Sequence, residues 1–432
     1  MTTPALLTDH YELTMVQAAL RSGAADRRCV FEVFTRSLPG RRRYGVVAGL
    51  GRLVEEIARF RYDAGALDFL AATGVVDRAT CQWLSSYRFT GSIDGYAEGE
   101  AYFPGSPVLV VEGTFAECVV LETLILSVLN HDSAIATAAA RMVCAAGERP
   151  CIEMGSRRTH EEAAVASARA AYLAGFAATS NLAAGRRWGV PTTGTAAHAF
   201  TLVHDDEATA FAAQVDALGA ETTLLVDTYD VEQGIREAVA AAGPELGAIR
   251  LDSGDLLPLA HRARQLLDEL GATKTRIVVT SDLDENSIAR LAAAPVDGYG
   301  VGTSLVTGSG VPTAGFVYKL VARETSSGGW QAVQKKSTGK GSTGGRKWSA
   351  RRHDAAGTAV VEQVYIGGAP PARDDERPLL VPVVRAGEPV HPTSLAEARQ
   401  HCRKSLGGLP AEAMKLSPGD PALDTRYEKV AP

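Results

Sequence analysis

Between residues 148 and 306 short apolar runs alternate with longer stretches that are apolar on one side only. "PCIEM" (150–154), "VPTTGT" (190–195), "TTLLVDT" (222–228), "GAIRLDSGD" (247–255), "RIVVTSD" (276–282) and "VDGYGVGTS" (296–304) each read as a strand. Helical patterns follow at 161–176, 206–218, 231–243, 256–270 and 284–294. Strands of four to six residues alternating with helices of ten or more predict βαβ units and a parallel sheet. Six such units in a row favour a closed barrel over an open sheet. Ser253 is placed to cap the helix after the fourth strand, and Asp282 with Glu285 has capping-box spacing.

Outside this region the pattern changes. "CVFEVF" (29–34), "PVLVVEG" (107–113), "TAVVEQVYI" and "RPLLVPVVRAGE" read as strands, and "SLAEARQHCRKSL" (394–406) as a helix. "SSGGWQAVQKKSTGKGSTGGRKWSARR" is rich in Gly, Ser and Lys and reads as a long basic loop or hairpin. The expected organisation is an α/β fold: a barrel at 116–320 and a second α/β domain built from both chain ends, 1–115 and 353–432. The basic segment 321–352 joins them, and 335–347, with Lys335, Lys336 and Lys340, is expected to act as a lid over phosphates.

The 432 residues are 46% hydrophobic and 22% charged, enough for a sizeable core. A net charge of −6 argues against nucleic acid as a partner, because phosphate contacts need a basic face. Six scattered cysteines form no CxxC pair, and no HExxH spacing occurs, so nothing points to a zinc site or a disulfide framework. The N-terminus carries Asp9 and Glu12 and lacks the build of a signal peptide. "CVVLETLILSVLN" (118–130) is too short to span a membrane and is interrupted by Glu122. A cytoplasmic protein is expected.

Ligands of parallel α/β folds gather at the carboxyl ends of the strands. Along that rim lie Arg157 and Arg158, Thr195 and His198, and Asp227 and Thr228. Arg250, Asp252, Ser253 and Asp255 follow, then Ser281 and Asp282, then Gly302 and Thr303. The set suits an anionic small molecule. Several members have plainer readings. Arg157–Arg158 can be a solvated pair, Arg250 can be an internal ion pair with Asp252, and Asp282 and Asp284 can be ordinary helix-start acids. The glycines of "GYGVGTS" can admit a phosphate or simply make room for bulky neighbours. His198 stands in "GVPTTGTAAHAF", among small residues that let other groups approach.

"LLTDHYELTM" (6–15), "EMGSRR" (153–158), "GTAAHAF" (194–200), "IRLDSGDL" (249–256), "VVTSDLDE" (278–285) and "GYGVGTSLVT" (298–307) resemble the ordered signatures of nicotinate phosphoribosyltransferases. The resemblance implies an irregular, TIM-like α/β barrel beside a domain made from both chain ends, usually as a homodimer. It implies condensation of nicotinate with phosphoribosyl pyrophosphate (PRPP) to nicotinate mononucleotide and pyrophosphate, the salvage route to NAD. ATP is the co-substrate, hydrolysed to ADP and phosphate, and Mg²⁺ the cofactor. His198 then matches the histidine that ATP phosphorylates; a neutral imidazole is a competent nucleophile near pH 7.

By the same matching Tyr11, Thr195 and Arg250 fall on nicotinate-contacting positions, and Gly302 with Thr303 on the ribose 5-phosphate loop. Arg157, Arg158, Asp252, Ser253, Asp255, Ser281 and Asp282 fall on phosphate or PRPP positions, with Asp255 a magnesium ligand. Ser180 and Asn181 stand near where nicotinamide-using relatives place an acid, which favours a carboxylate substrate. Use of nicotinamide or quinolinate, or a non-catalytic PRPP-binding role, are the alternatives.

Overall fold

The computed structural model describes residues 3–335, 343–390 and 393–431. The chain divides by packing into two compact units, Met1–Ala134 with Thr313–Pro432, and Ile135–Pro312. Of the expected lid residues, Lys336 and Lys340 lie outside the described residues.

The unit Ile135–Pro312 is the βαβ region. Its strands are β1 (Cys151–Glu153), β2 (Ala178–Thr179), β3 (Thr223–Leu225), β4 (Ala248–Leu251), β5 (Arg276–Val279) and β6 (Gly298–Val301). They form one parallel sheet in the order β2-β1-β6-β5-β4-β3. Ile249, Leu251, Ile277 and Val279 are almost wholly buried, as strands covered on both faces require. The helices pack by one stripe: Ala260, Ala263, Leu266 and Leu267 are the buried residues of Leu256–Glu269. Asn181, Asp206, Asp230 and Asp284 each cap a helix by accepting a backbone N–H.

The α/β barrel expectation holds as a curled half-barrel rather than a closed one. Between the edge strands β2 and β3 the described residues carry no ladder. "VPTTGT" contributes only a bridge, Thr192 to Thr179, where a full second strand was expected. Two further expectations fail for identifiable reasons. Ser253 does not cap the next helix, because its hydroxyl donates to Asp227; Asp255 is the cap residue, without a side-chain bond. The capping box after β5 is Asp284 with Ser287, not Asp282 with Glu285.

The other unit joins both chain ends in one antiparallel sheet. Arg28–Thr35 pairs with Phe316–Glu324 and with Leu109–Thr114, and Ser92–Tyr96 pairs with Leu380–Arg385. Phe31 stacks on Tyr318 in its core, ring centroids 4.8 Å apart. The segment read as a basic loop carries strands at Trp330–Ala332 and Lys347–His353. The buried Lys347 ammonium lies 2.7 Å from the Glu32 carboxylate.

The stretch Phe115–Ala146 is long and apolar enough to cross a membrane by length and composition, because the helix Glu122–Ala146 continues past 130 through an alanine-rich run. Two thirds of its apolar window (67%) is buried inside the fold. Its Asp132 is buried and paired with Arg52 at 2.9 Å.

A buried ionic knot predicts how this unit responds to acid. Glu100 accepts from Arg351 at 2.6 Å, Arg377 and His401 at 2.9 Å, and Ser405 at 2.5 Å. Burial pushes the Glu100 carboxyl up, but His401, Arg351 and Arg377 outweigh it and hold it well below the usual carboxylate range. A depressed folded value gives stability that is present above the unfolded value of about 4.3 and is lost as pH falls through the folded one. Glu100→Gln is expected to cost about 3–5 kcal/mol at pH 7 by stranding the arginines. Urea melts across pH 7 to about 3.5 should show that penalty shrinking below the unfolded carboxylate value of about 4.3. A penalty independent of pH would contradict the assignment.

Candidate active site

The carboxyl ends of β1, β2, β4, β5 and β6 surround a cavity of about 480 Å³. The loop after β1 contributes Met154, Ser156, Arg157 and Arg158. Both arginine side chains are exposed, and among the described residues neither guanidinium has a partner. Ser180 and the segment Thr193–Ala197 form another wall, with no regular secondary structure after the Thr192 bridge. Arg250, Asp252, Thr280, Ser281 and Asp282 come from the ends of β4 and β5, and Gly300, Gly302 and Thr303 from the end of β6. Ser281 has φ 135°, a region that favours glycine, so its conformation costs about 1–3 kcal/mol that the surrounding contacts must offset.

Arg250 is not the ion pair with Asp252 that spacing allowed. Its Nη1 donates to Thr195 Oγ1 at 2.5 Å and to the Ala196 carbonyl at 3.2 Å, while its buried Nε has no partner. Burial pulls the guanidinium down from its usual range, and Asp252 and Asp227 oppose that. Asp252 accepts from the Thr280 hydroxyl, which fixes its carboxylate at the rim.

His198 opens the short helix His198–Leu202, immediately after the cavity-lining Ala197. Its side chain is 39% exposed, open enough for a substrate to reach. Nδ1 lies 3.1 Å from Thr228 Oγ1; Nε2 lies 3.8 Å from Asp252 Oδ2 and 4.0 Å from Asp227 Oδ1. Asp227 is buried. Its Oδ2 accepts the Asp252 N–H and the Ser253 hydroxyl, both at 2.8 Å, and its Oδ1 has no hydrogen-bond partner. The imidazole therefore stands between two carboxylates and a hydroxyl, with one carboxylate reaching into the cavity.

The cavity thus brings together nine of the expected residues: Arg157, Arg158, Thr195, Arg250, Asp252, Ser281, Asp282, Gly302 and Thr303. Ser253 and Asp255 are not among the lining residues, and Ser253 is committed to Asp227. Tyr11 belongs to the other unit, half-exposed on the first turn of His10–Ser22, where burial and then Glu122 push its hydroxyl up. The glycines of β6 divide between the two sequence readings. A Cβ on Gly300 would fall 2.4 Å from Thr280 Cγ2 and 2.8 Å from Met154 Sδ, so bulky neighbours require that glycine. A Cβ on Gly302 would meet Met154 only at an ordinary 3.5 Å, so packing does not require that one.

Known proteins resemble this chain along nearly its whole length. The sequence model of the nicotinate phosphoribosyltransferase (NAPRTase) N-terminal domain matches residues 6–130. That of the quinolinate phosphoribosyl transferase C-terminal domain matches 135–310. The chain is 62% identical over 430 residues to nicotinate phosphoribosyltransferase pncB1 of Mycobacterium tuberculosis, covering 98% of this chain and 94% of the relative. The chain belongs to the nicotinate phosphoribosyltransferase family. A family member from Bos taurus is 30% identical across 97% of this chain and 93% of its own. The crystal structure of human nicotinic acid phosphoribosyltransferase superposes with a TM-score of 0.84 at 27% identity, covering 98% of this chain and 97% of that one. These matches bear out both the family resemblance and the α/β barrel class.

Two residues at or beneath the cavity escaped the sequence reading. Glu153 ends β1 as a fully buried acid, and Thr280 holds Asp252. The signal for Glu153 was present: an acid inside "CIEM" raises the same question of partnership that singled out Arg250 in "AIRLD".

Proposed function

We propose that the chain joins nicotinate to PRPP, forming nicotinate mononucleotide and pyrophosphate for NAD salvage, and that ATP hydrolysis drives this through a phosphohistidine at His198. The observation that carries the reading is one cavity lined by two arginines unpartnered among the described residues and a third with a spare buried donor, with a histidine flanked by acids directly after the lining residue Ala197.

The chemistry follows from the donors. Carboxylates facing Nε2 favour the tautomer with its proton there, which leaves the lone pair on Nδ1. Nδ1 attacks the γ-phosphorus of ATP, an N–P bond forms, the bond to the bridging oxygen breaks, and ADP departs. The proton stays on Nε2, and the nearby Asp252 and Asp227 carboxylates stabilise the cationic ring through space. Arg157 and Arg158 offer ten N–H donors between them to a pyrophosphate group, about five for each guanidinium.

Arg250 meets the nicotinate carboxylate with donors that Thr195 and Ala196 leave free. The pyridine nitrogen then displaces pyrophosphate at the ribose carbon. Gly302 and Thr303 hold the 5-phosphate, as backbone donors at the end of a strand can. Water finally cleaves the phosphohistidine and releases phosphate.

Among the described residues no cluster of three His, Cys, Asp or Glu forms a metal cage by itself. That suits magnesium, which commonly takes one or two protein carboxylates and completes its shell with substrate phosphates and water. Asp252, which lines the cavity, would hold it; Asp227, with its bare Oδ1, would be the nearest second carboxylate, although neither it nor Asp255 is among the lining residues. When bound, Mg²⁺ would neutralise phosphate charge at the reacting groups.

Steady-state rates with PRPP and each of three pyridines test the reading. Nicotinate is expected to give the highest kcat/KM, because Ser180 supplies no acid to an amide and Arg250 supplies a cation to a carboxylate. Preference for nicotinamide or quinolinate would overturn the substrate assignment, and inertness with all three would overturn the enzyme reading.

A further inference from the structure

Among the described residues Arg157 and Arg158 have no side-chain partners, so their position rests on the backbone that carries them. The chain around them shows what does. Glu153 is wholly buried, and one carboxylate oxygen accepts the Gly155 N–H. Gly155 in turn accepts the Arg158 N–H at 2.8 Å, closing the turn that carries both arginines. The other Glu153 oxygen accepts the Thr179 hydroxyl, at the end of the neighbouring strand β2. Thr179 Oγ1 accepts the Asn181 N–H at 2.9 Å, and Asn181 Nδ2 reaches back to Ser156 Oγ at 3.0 Å.

Two adjacent rim loops are therefore laced together beneath the cavity, one bearing Arg157 and Arg158 and the other Ser180. Gly155 leaves no slack: a Cβ there would fall 2.3 Å from Val306 Cγ1 and 3.0 Å from the Gly302 carbonyl. The lacing thus also touches the turn that follows β6.

We propose that Glu153 is a positioning residue for PRPP binding, which acts through Gly155 and Thr179 to hold Arg157 and Arg158 where a pyrophosphate group meets them. This rests on the nicotinate and PRPP reading above. A buried carboxylate served by two neutral donors is a poor stabilising device, since burial disfavours its charge. Burial does push the Glu153 carboxyl up, and the Thr179 and Gly155 donors hold it back. What the arrangement gives is a short, doubly tied loop, so that the arginines surrender little freedom when they engage phosphate.

The experiment uses the full chain with Glu153→Gln, and Thr179→Val as a gentler variant, each also in an Arg157→Ala, Arg158→Ala background. PRPP affinity is read by calorimetry, steady-state KM and kcat are measured alongside, and thermal melts establish folding. Glu153→Gln leaves one donor unsatisfied and is expected to weaken PRPP binding about 10- to 100-fold. The loss should appear in KM for PRPP, with kcat at saturation nearly retained. Thr179→Val should do the same more mildly.

In the background lacking both arginines, either substitution should cost almost nothing further, because the path through which it acts is gone. If Glu153→Gln fails to fold, Thr179→Val decides alone. Folded variants with wild-type PRPP affinity, or with equal losses with and without the arginines, would overturn the proposal. A wild-type chain that binds PRPP but turns over no nicotinate would overturn the substrate reading and leave this comparison standing. One that does not bind PRPP overturns both.

Discussion

His198→Ala is expected to give a folded protein whose affinity for PRPP no longer responds to ATP. The histidine is not one of the buried residues. It is partly exposed on a short helix, touching Thr228 and lying near Asp227 and Asp252, so its removal leaves no large void. What disappears is the imidazole proposed to take a phosphoryl group beside the cavity. In the wild type, ATP should tighten PRPP by about 5- to 150-fold, the usual span of coupling between two sites. In the variant that factor should fall to one, while ATP-independent condensation persists at high PRPP. A double titration of rate against PRPP, with and without ATP, reads the factor directly. An alanine variant that kept its ATP response would remove the histidine from the mechanism.

Arg250→Ala should have the second large effect, and a different one. Its guanidinium is half-buried, tied on one side to Thr195 and Ala196, with a buried Nε that has no partner among the described residues. Removal takes away a charge-assisted fork and leaves Thr195 without its donor. The expected rise in KM for nicotinate is about 100- to 1000-fold, the equivalent of about 3–4 kcal/mol. The ATP response described above should survive. Arg250→Lys should recover only part of the loss, since a point charge cannot supply two parallel donors. The discrimination between nicotinate and nicotinamide should shrink in both variants. Loss of PRPP binding with nicotinate affinity intact would move Arg250 to another role.

Much of this arrangement was legible before any coordinates. β1, β4, β5 and β6 announce themselves because strands buried on both faces are short, apolar and bounded by turn residues. The rim residues follow from where such strands end. What the sequence hid depended on distant pairing. "VPTTGT" has the length of a strand, yet its pairing stops at one bridge, with Pro191 and Thr193 bonded to Thr179, and Thr193–Ala197 line the cavity instead. Whether β2 and β3 close the barrel is decided by curvature across six strands, which no local window contains.

Ser253 shows a smaller failure of the same kind. It has the residue type of a cap, but Asp227, twenty-six positions away, takes its hydroxyl. Glu153 was overlooked because a single acid at a strand end looks like the start of a loop. Its partner Thr179 lies twenty-six positions away, outside any local window.

Incubation of the wild-type chain with ATP labelled in the γ-phosphate, followed by peptide mapping, tests the account most directly. It predicts one acid-labile, alkali-stable phosphate per chain, on His198 at Nδ1, discharged when nicotinate and PRPP are added together. Label on any other residue, or none under conditions that support turnover, would contradict it.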